Sequence, residues 1–264
     1  MSNKKEPENF LLKKRFFILD GDGTMYLWDK PLPGANELLK KLKKNGKDFV
    51  VISNNDSKSK VTRLKELRRM LNFNLNQRNL LLPNEQVIAY LKKEKIRRFY
   101  GLITASFRKE LQKEGFVYDS KSPSIMIIGF DTELTYEKLK TAILLIRSGV
   151  KFILTHIDPL CPYKNGGEIP DAGSIISLVE KATSKEPVKT FGKPYKDIIR
   201  YALSSRNSSK KDSVIIGDRI NTDIRMANEN GMDSILLTKG RKVEKSHYKP
   251  TFTIKSIKEV SDLL

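Results

Sequence analysis

The chain alternates short apolar runs with amphipathic helical patterns, and this alternation most limits the folds it can adopt. The run RFFILD (15–20) precedes the helical pattern GANELLKKLKKNG (34–46), and KDFVVISNN (47–55) precedes KVTRLKELRRMLNF (60–73). Runs rich in Phe, Ile and Val without polar alternation favour strands that are buried on both faces of a parallel sheet. The order β-α-β-α therefore predicts an α/β fold.

The same alternation returns toward the other end of the chain. Its segments are VKTFGKP (188–194), YKDIIRYALSSR (195–206), SVIIGD (213–218), TDIRMANENG (222–231) and SILLTKG (234–240). Gly46 and Gly231 stand where a glycine commonly ends a helix. We expect these strands to join the same sheet as the first two.

The middle of the chain carries apolar segments of its own, such as PSIMIIGFD (123–131) and YEKLKTAILLIRSGVKFILTH (136–156). This length is enough for a separate small domain. We predict an inserted α/β domain at 84–182, within a first domain formed by residues 1–83 and 183–264.

Composition excludes several classes of protein. No uninterrupted apolar stretch approaches the ~18 residues of a membrane span, and the start of the chain lacks an apolar signal segment. The single cysteine, Cys161, excludes an intrachain disulfide and a cysteine metal cluster. The two histidines are far apart in the sequence, so we expect no zinc site. We expect a soluble cytoplasmic protein with no membrane partner.

The chain is strongly basic, with 50 Lys and Arg against 31 Asp and Glu and a formal charge of +19. Such a charge raises the question of nucleic acid. The lysines are spread over most of the chain, in patterns that fit solvated helix faces, and no nucleic-acid-binding motif is present. We therefore expect no specific nucleic-acid partner.

Polar residues follow each predicted outer strand. They are Asp20 and Asp22 after the first strand, Ser53 and Asn54 after the second, and then Lys193, Asp218 and Asp223. The carboxyl ends of the strands in an open parallel sheet form its ligand crevice, so these groups should converge.

Carboxylates at the mouth of an apolar strand cost desolvation free energy unless a cation or a reacting phosphate compensates. Mg²⁺ prefers oxygen ligands and keeps several waters, which two carboxylates and a backbone carbonyl would allow. Lys193 would supply a fixed positive charge for phosphoryl oxygens, and Ser53 with nearby amides would donate hydrogen bonds to them. These residues together are therefore suited to bind an oxyanion and a divalent cation at the same site.

A calcium-binding loop is the alternative interpretation of DGDGT (20–24). It fails because Thr24 occupies the third ligand position and Gly23 falls too early. The motifs SNN and GKP are each weak alone, since both are common in turns and caps, and Asp223 could simply favour a helix dipole.

The order DGDGT, SNN, GKP, GDRINTDI resembles the four motifs of the haloacid dehalogenase (HAD) superfamily, specifically its subfamily IIA of NagD-like and 4-nitrophenylphosphatase-like proteins. The segments PDAGSI and GDRINTDIRMANENGM also look like that subfamily, so the resemblance covers almost the full length. It implies a Rossmann-like parallel-sheet core with an inserted α/β cap domain of the C2 type. The implied activity is Mg²⁺-dependent hydrolysis of phosphate esters.

The resemblance also implies roles for individual residues. Asp20 would be the nucleophile that forms an aspartyl-phosphate, and Asp22 would be the general acid and base. Asp20, the Asp22 carbonyl and Asp218 would hold the metal, with Asp223 as a supporting residue. Ser53, Asn54 and Lys193 would bind the phosphoryl group, Lys193 also serving catalysis.

The sequence departs from the subfamily at THID (155–158), where many relatives have TNPD. In the subfamily the following loop of the cap helps to select the substrate, so His156, Asp158 and Cys161 are predicted to belong to a substrate-specificity loop. His156 is interpreted as a hydrogen-bonded residue at a strand end rather than a catalyst. Asp56, where relatives often have serine, suits a helix cap.

The leading hypothesis is a Mg²⁺-dependent phosphatase for a small phosphorylated metabolite, such as a sugar, nucleotide or cofactor phosphate, that also hydrolyses aryl phosphates. Two alternatives remain, a nucleic-acid-binding protein on a phosphatase fold and a non-catalytic relative. The sequence is also compatible with a homo-oligomer.

Overall fold

The computed structural model describes residues 5–243 and 245–264. The first four residues of the predicted first domain, and residue 244, lie outside the described residues. The chain divides into two compact units that interleave in sequence. The first unit comprises the residues up to Ser53, Leu64–Leu81 and Lys193–Leu264, and the second comprises Asn54–Arg63 and Leu82–Gly192. That these units are a catalytic core and a cap stays a prediction, as do the limits 84–182.

The strands, in chain order, are β1 (Phe16–Asp20), β2 (Tyr26–Leu27), β3 (Lys30–Pro31), β4 (Asp48–Ile52), β5 (Leu80–Leu81), β6 (Arg98–Leu102), β7 (Val117–Tyr118), β8 (Ile125–Ile128), β9 (Phe152–Leu154), β10 (Leu160–Pro162), β11 (Glu168–Pro170), β12 (Lys189–Thr190), β13 (Ser213–Gly217), β14 (Asp233–Leu237) and β15 (Phe252–Ile254). The α-helices are α1 (Lys5–Lys13), α2 (Ala35–Lys44), α3 (Lys60–Met70), α4 (Pro83–Lys93), α5 (Ala105–Lys113), α6 (Tyr136–Arg147), α7 (Ala172–Thr183), α8 (Lys196–Ser204), α9 (Arg225–Glu229) and α10 (Ile257–Asp262).

The first unit is built on a six-stranded parallel sheet in the order β15-β14-β13-β1-β4-β5. Strand β1 lies inside the sheet, where Phe16 pairs with Ser213 on one side and Asp48 on the other. All five residues of β1 are buried, as the unbroken apolar run predicts for a strand covered on both faces. Phe16 and Ile18 share one core cluster with residues of α8 and α9.

The second unit contains a five-stranded parallel sheet in the order β12-β9-β8-β6-β7. Alternate residues of its strands enter two separate cores. On β8, Met126 and Ile128 belong to the core that includes residues of α6 and α7, whereas Ile125 and Ile127 belong to the one that includes residues of α4 and α5. Both units therefore have a Rossmann-like α/β architecture, and the predicted fold class is confirmed.

The strand expected in VKTFGKP belongs to a different sheet from the one we predicted. Lys189 and Thr190 pair in parallel with β9 in the second unit, rather than with the first sheet. The backbone amide of Phe191 also donates to the carbonyl of Leu154 at 2.9 Å, and the Phe191 ring enters a core of the second unit. The burial of this ring in the second unit is consistent with that pairing and is not revealed by the local sequence pattern.

The glycines predicted to end helices do so. Gly46 (φ 64°) and Gly231 (φ 62°) have positive φ after the ends of α2 and α9. The segment after β13 differs from the expected α-helix, because it begins with a π-helical turn, Ile220–Ile224, before α9. Among the helices of the described residues, none is long and apolar enough to cross a membrane.

Candidate active site

Asp20 and Asp22 lie at the carboxyl end of β1, as predicted. Asp20 is the last residue of the strand and is buried, whereas Asp22 lies in the following turn and is partly exposed. Backbone hydrogen bonds hold this turn, including one from the amide of Gly23 to the carbonyl of Tyr26 at 2.7 Å. Gly23 is required there, because its φ is 90° and a Cβ would lie 2.5 Å from Asp218 Oδ2.

The end of β4 brings Ser53 next to Asp22. The Ser53 hydroxyl donates to Asp22 Oδ2 at 3.4 Å, and the Ser53 amide donates to the carbonyl of Leu81 at 3.2 Å. Ser53 is buried. The structure thus places a hydroxyl from the second predicted motif against a carboxylate from the first.

Asp20, Asp218 and Asp223 form an acidic cluster in the first unit. One carboxylate oxygen from each lies within 4.8 Å of the others, a spacing that could hold a metal ion. Asp223 belongs to the π-helical turn, and its Oδ2 accepts from the Arg219 amide at 3.2 Å. The absence of a side chain at Gly217 admits Asp223, since a Cβ there would lie 2.3 Å from Asp223 Oδ2.

Lys193 joins two members of the acidic cluster. Its buried ammonium donates to Asp20 Oδ1 and, at 2.8 Å, to Asp223 Oδ1. Burial lowers the pKa of Lys193, but the Asp20 and Asp223 carboxylates outweigh it and hold that pKa above its ordinary value. Lys193 is therefore a fixed positive charge.

The acids of the cluster carry more negative charge than Lys193 can balance. Burial raises the pKa of Asp20 well above its ordinary value, and Asp223 adds to this while Lys193 opposes it. Burial also raises the pKa of Asp223, against the effect of Lys193. Two buried oxygens, Asp20 Oδ2 and Asp218 Oδ1, have no hydrogen-bond partner in the described part of the chain. A further cation would relieve both the charge and these unpaired oxygens.

Lys239 is a member of the site that the sequence interpretation missed. Its ammonium donates to Asp218 Oδ2 at 2.6 Å, from just beyond the end of β14. The rule that located the other groups, polar residues after predicted strands, could have found Lys239 in SILLTKG. Beside Asp218 a cavity of about 290 Å³ is lined by residues that include Arg219, Arg241 and Lys242, which makes its surroundings basic.

The remaining predicted residues belong to the second unit. The Asn54 side-chain amide donates to Asp158 Oδ2 at 3.1 Å. His156 is fully buried near Asp56 and Asp171, and Cys161 is buried in β10, where its sulfur lies 3.9 Å from Asn55 Nδ2. Their part in substrate selection stays a prediction.

Comparison with known proteins agrees with this architecture. A family model for haloacid dehalogenase-like hydrolases matches residues 17–117, and a HAD-hydrolase-like model matches residues 190–260. The dihydroxyacetone phosphatase of Corynebacterium glutamicum is 27% identical over 258 residues, covering 93% of this chain and 90% of its own length. The 4-nitrophenylphosphatase of Schizosaccharomyces pombe is 27% identical over 263 residues, covering 90% of this chain and 87% of its own.

Solved structures extend the likeness to the whole fold. The crystal structure of 4-nitrophenylphosphatase from Thermotoga maritima has a TM-score of 0.89 and 34% sequence identity, covering 96% of this chain and 98% of that one. The matches thus include both the motif-bearing strands and the intervening unit. The chain belongs to the haloacid dehalogenase-like hydrolase family, in the NagD-like and 4-nitrophenylphosphatase-like subfamily.

Proposed function

We propose that the protein is a Mg²⁺-dependent phosphatase that hydrolyses monoesters of small phosphorylated metabolites through an aspartyl-phosphate. The observation that carries the proposal is the acidic cluster of Asp20, Asp218 and Asp223, two members of which pair with Lys193, together with Asp22 beside Ser53. Relatives that span most of the chain bear phosphatase names, which supports the same activity.

The acidic cluster fits a divalent cation. Its donors are all oxygens, which Mg²⁺ prefers, and two of them are buried without a partner among the described residues. Asp20, Asp218 and the backbone carbonyl of Asp22 would hold the ion, and Asp223 would support them. The bound ion would supply positive charge next to the phosphoryl oxygens.

The chain's own residues would carry the two chemical steps. A carboxylate oxygen of Asp20 attacks phosphorus, and the ester P–O bond breaks as Asp22 gives its proton to the leaving oxygen. Asp22, now ionised, then takes a proton from water, whose oxygen attacks phosphorus. The bond between phosphorus and the Asp20 oxygen breaks, so inorganic phosphate leaves and both residues return to their starting states.

The other groups would bind and orient the phosphoryl group. Ser53 and Asn54 would donate hydrogen bonds to its oxygens. Lys193 would neutralise charge on Asp20 and on the phosphoryl group, which its ion pair with Asp20 supports. The basic surroundings of Asp218 would favour an anionic substrate over a neutral one.

The test is hydrolysis of 4-nitrophenyl phosphate and a panel of sugar, nucleotide and cofactor phosphates, with Mg²⁺ and with EDTA. We expect turnover with Mg²⁺ only, and none for Asp20→Asn, because an amide cannot act as the nucleophile. Asp29→Asn is the matched control, since Asp29 is an exposed carboxylate close by in the chain. Hydrolysis by Asp20→Asn at the parent rate would exclude Asp20 as the nucleophile.

A further inference from the structure

A buried charged cluster in the second unit has no part in the steps above. The His156 side chain is completely buried, and its Nε2 lies 3.5 Å from Asp56 Oδ1 and 3.3 Å from Asp171 Oδ1. Both carboxylates are themselves buried. Buried carboxylates are costly unless they are paired, and an imidazolium between them supplies the missing charge.

The charge state of His156 follows from its neighbours. Burial lowers the pKa of His156, but Asp171 and Asp56, with a smaller contribution from Asp158, raise it to about 9. Burial raises the pKa of Asp171 to about 7, against the effect of His156. The neighbouring carboxylates therefore favour the protonated imidazole at neutral pH.

The two carboxylates tie His156 to separate parts of the chain. Asp56 Oδ1 accepts from the Phe130 amide at 2.9 Å, and Asp171 Oδ1 accepts from the Ala172 amide at 2.6 Å at the start of α7. The cluster thus joins the segment after β4, the segment after β8 and the first turn of a helix.

Two chain segments next to proposed phosphate-binding residues pack at this cluster. A Cβ on Gly192 would lie 2.8 Å from His156 Cβ and 2.7 Å from Asn54 Oδ1, so the Gly192 backbone lies against both side chains. Asn54 is also only two positions before Asp56 of the cluster. Ser53 directly precedes Asn54 in the chain, and Lys193 directly follows Gly192. A shift of His156 would therefore move the backbone next to Ser53 and the backbone next to Lys193.

We propose that His156 is a positioning residue, whose imidazolium links Asp56 and Asp171 and thereby fixes the backbone beside Ser53 and Lys193. The proposal rests on the proposed function of those two residues. His156 acts through other residues, because its side chain is enclosed and its charged neighbours, Asp56 and Asp171, are not members of the acidic cluster.

The first test is the protonation state of His156. The chain has two histidines, so His247→Gln leaves a single imidazole to follow by NMR as the pH changes. We expect it to remain protonated up to about pH 9 in this variant. Asp171→Asn removes the negative charge that most favours the protonated imidazole, so it should lower the pKa of His156. A neutral imidazole at pH 7 in the His247→Gln variant would overturn the proposal.

The second test is kinetic and uses His156→Asn, with His247→Gln as the matched control. Misplacement of reacting groups by 1 Å can cost about 10²-fold, so we expect kcat/KM to fall by about 10- to 100-fold, mainly through kcat. The control should keep the parent value. A variant that melts earlier but keeps the parent kcat would show a purely structural role and overturn the proposal.

The pH profile provides a measurement that does not depend on the folding of His156→Asn. In the parent, kcat should fall as His156 loses its proton near pH 9, and in Asp171→Asn this fall should begin at lower pH, in step with the NMR pKa. A fall that stays at the parent pH would overturn the proposal. A parent with no phosphatase activity would instead overturn the proposed function, and the positioning role with it.

Discussion

At the residue scale, Asp20 and Asp22 are two positions apart but have different surroundings. Asp20 is buried and paired with Lys193, whereas Asp22 is partly exposed and accepts a hydrogen bond from Ser53. Burial raises the pKa of Asp20, whereas Lys193 opposes this and a divalent cation would oppose it further, so that the carboxylate would be held ionised for attack. Asp22, which solvent reaches, is open to proton exchange with water. The environments therefore match the separate roles that we propose for the two residues.

This difference makes the effect of Asp22→Asn depend on the leaving group. Removal of a general acid and base costs about 10²- to 10⁴-fold, and we expect the upper part of that range for an alkyl phosphate such as a sugar phosphate. The loss should be smaller for 4-nitrophenyl phosphate, because nitrophenolate leaves without protonation. The measurement is kcat/KM for both esters, and equal losses would contradict the role of Asp22 as the acid.

A substitution at Gly23 tests the importance of the turn that carries Asp22. Gly23→Ala meets two penalties, a positive φ that costs about 1–2 kcal/mol and contact of its Cβ with Asp218 Oδ2 at 2.5 Å. Gly46→Ala is the matched control, because Gly46 also has a positive φ but a Cβ there meets nothing within 4 Å.

Both glycine variants should therefore lose stability in urea unfolding, whereas only Gly23→Ala should lose activity and the rise in Tm that Mg²⁺ gives the parent. If Gly46→Ala lost activity to the same extent, backbone strain alone would explain both results. The idea that the new side chain in Gly23→Ala displaces Asp218 would then have no support.

At the element scale, long apolar runs were predictable and short strands were not. β1 and β4 fall within their predicted runs, because such runs are buried on both sides of a sheet. Strands of two or three residues, such as β5 and β15, carry too little pattern to detect and form because a neighbouring strand is available.

The same limit applies to the sites. Residues that follow long strands, such as Asp20 and Asp218, could be predicted to converge from the geometry of parallel sheets. The pairing of His156 with Asp56 could not, because the two are 100 positions apart and nothing local marks them as partners. Tertiary contacts supply that information.

Two helix caps in the second unit provide a test at this scale. The Thr104 hydroxyl accepts from the Phe107 amide at the start of α5 and also donates to the Ser57 carbonyl at 2.7 Å, in a buried position. The Thr135 hydroxyl accepts from the Lys138 amide at the start of α6 and is exposed.

Thr135→Ala should therefore lower the free energy of unfolding by about 1 kcal/mol, the usual effect of losing a cap. Thr104→Ala should lower it by about 2 kcal/mol, because the partly buried carbonyl of Ser57 also loses its donor. Chemical denaturation measures both values. Equal losses would mean that the bond to Ser57 contributes no net stability.

At the scale of the whole molecule, the charge of +19 does not imply a nucleic-acid partner. Many of the lysines lie at exposed helix positions, and Lys140 and Lys258 form ion pairs with acids one turn away, Glu137 and Asp262. Pairs of this kind are typical of a solvated surface.

We therefore expect duplex and single-stranded DNA to bind only at the level of non-specific contacts, with Kd of about 10⁻⁴ to 10⁻⁶ M at physiological salt. Fluorescence anisotropy over a range of salt concentrations measures this, and the affinity should fall steeply as salt rises. Tight binding that prefers one sequence at physiological salt would favour the alternative of a nucleic-acid-binding protein.

The pairing of β1 with β13 affects how the chain folds as the ribosome makes it. Phe16 pairs with Ser213, which is synthesised nearly two hundred residues later. At about 5–20 residues per second, the interval between the two is about ten seconds or more. All five strands of the second sheet are synthesised in the meantime, so that sheet can form while β1 still lacks one neighbour. A nascent chain stalled before β13 would thus expose an apolar strand edge on β1, which a chaperone could cover during synthesis.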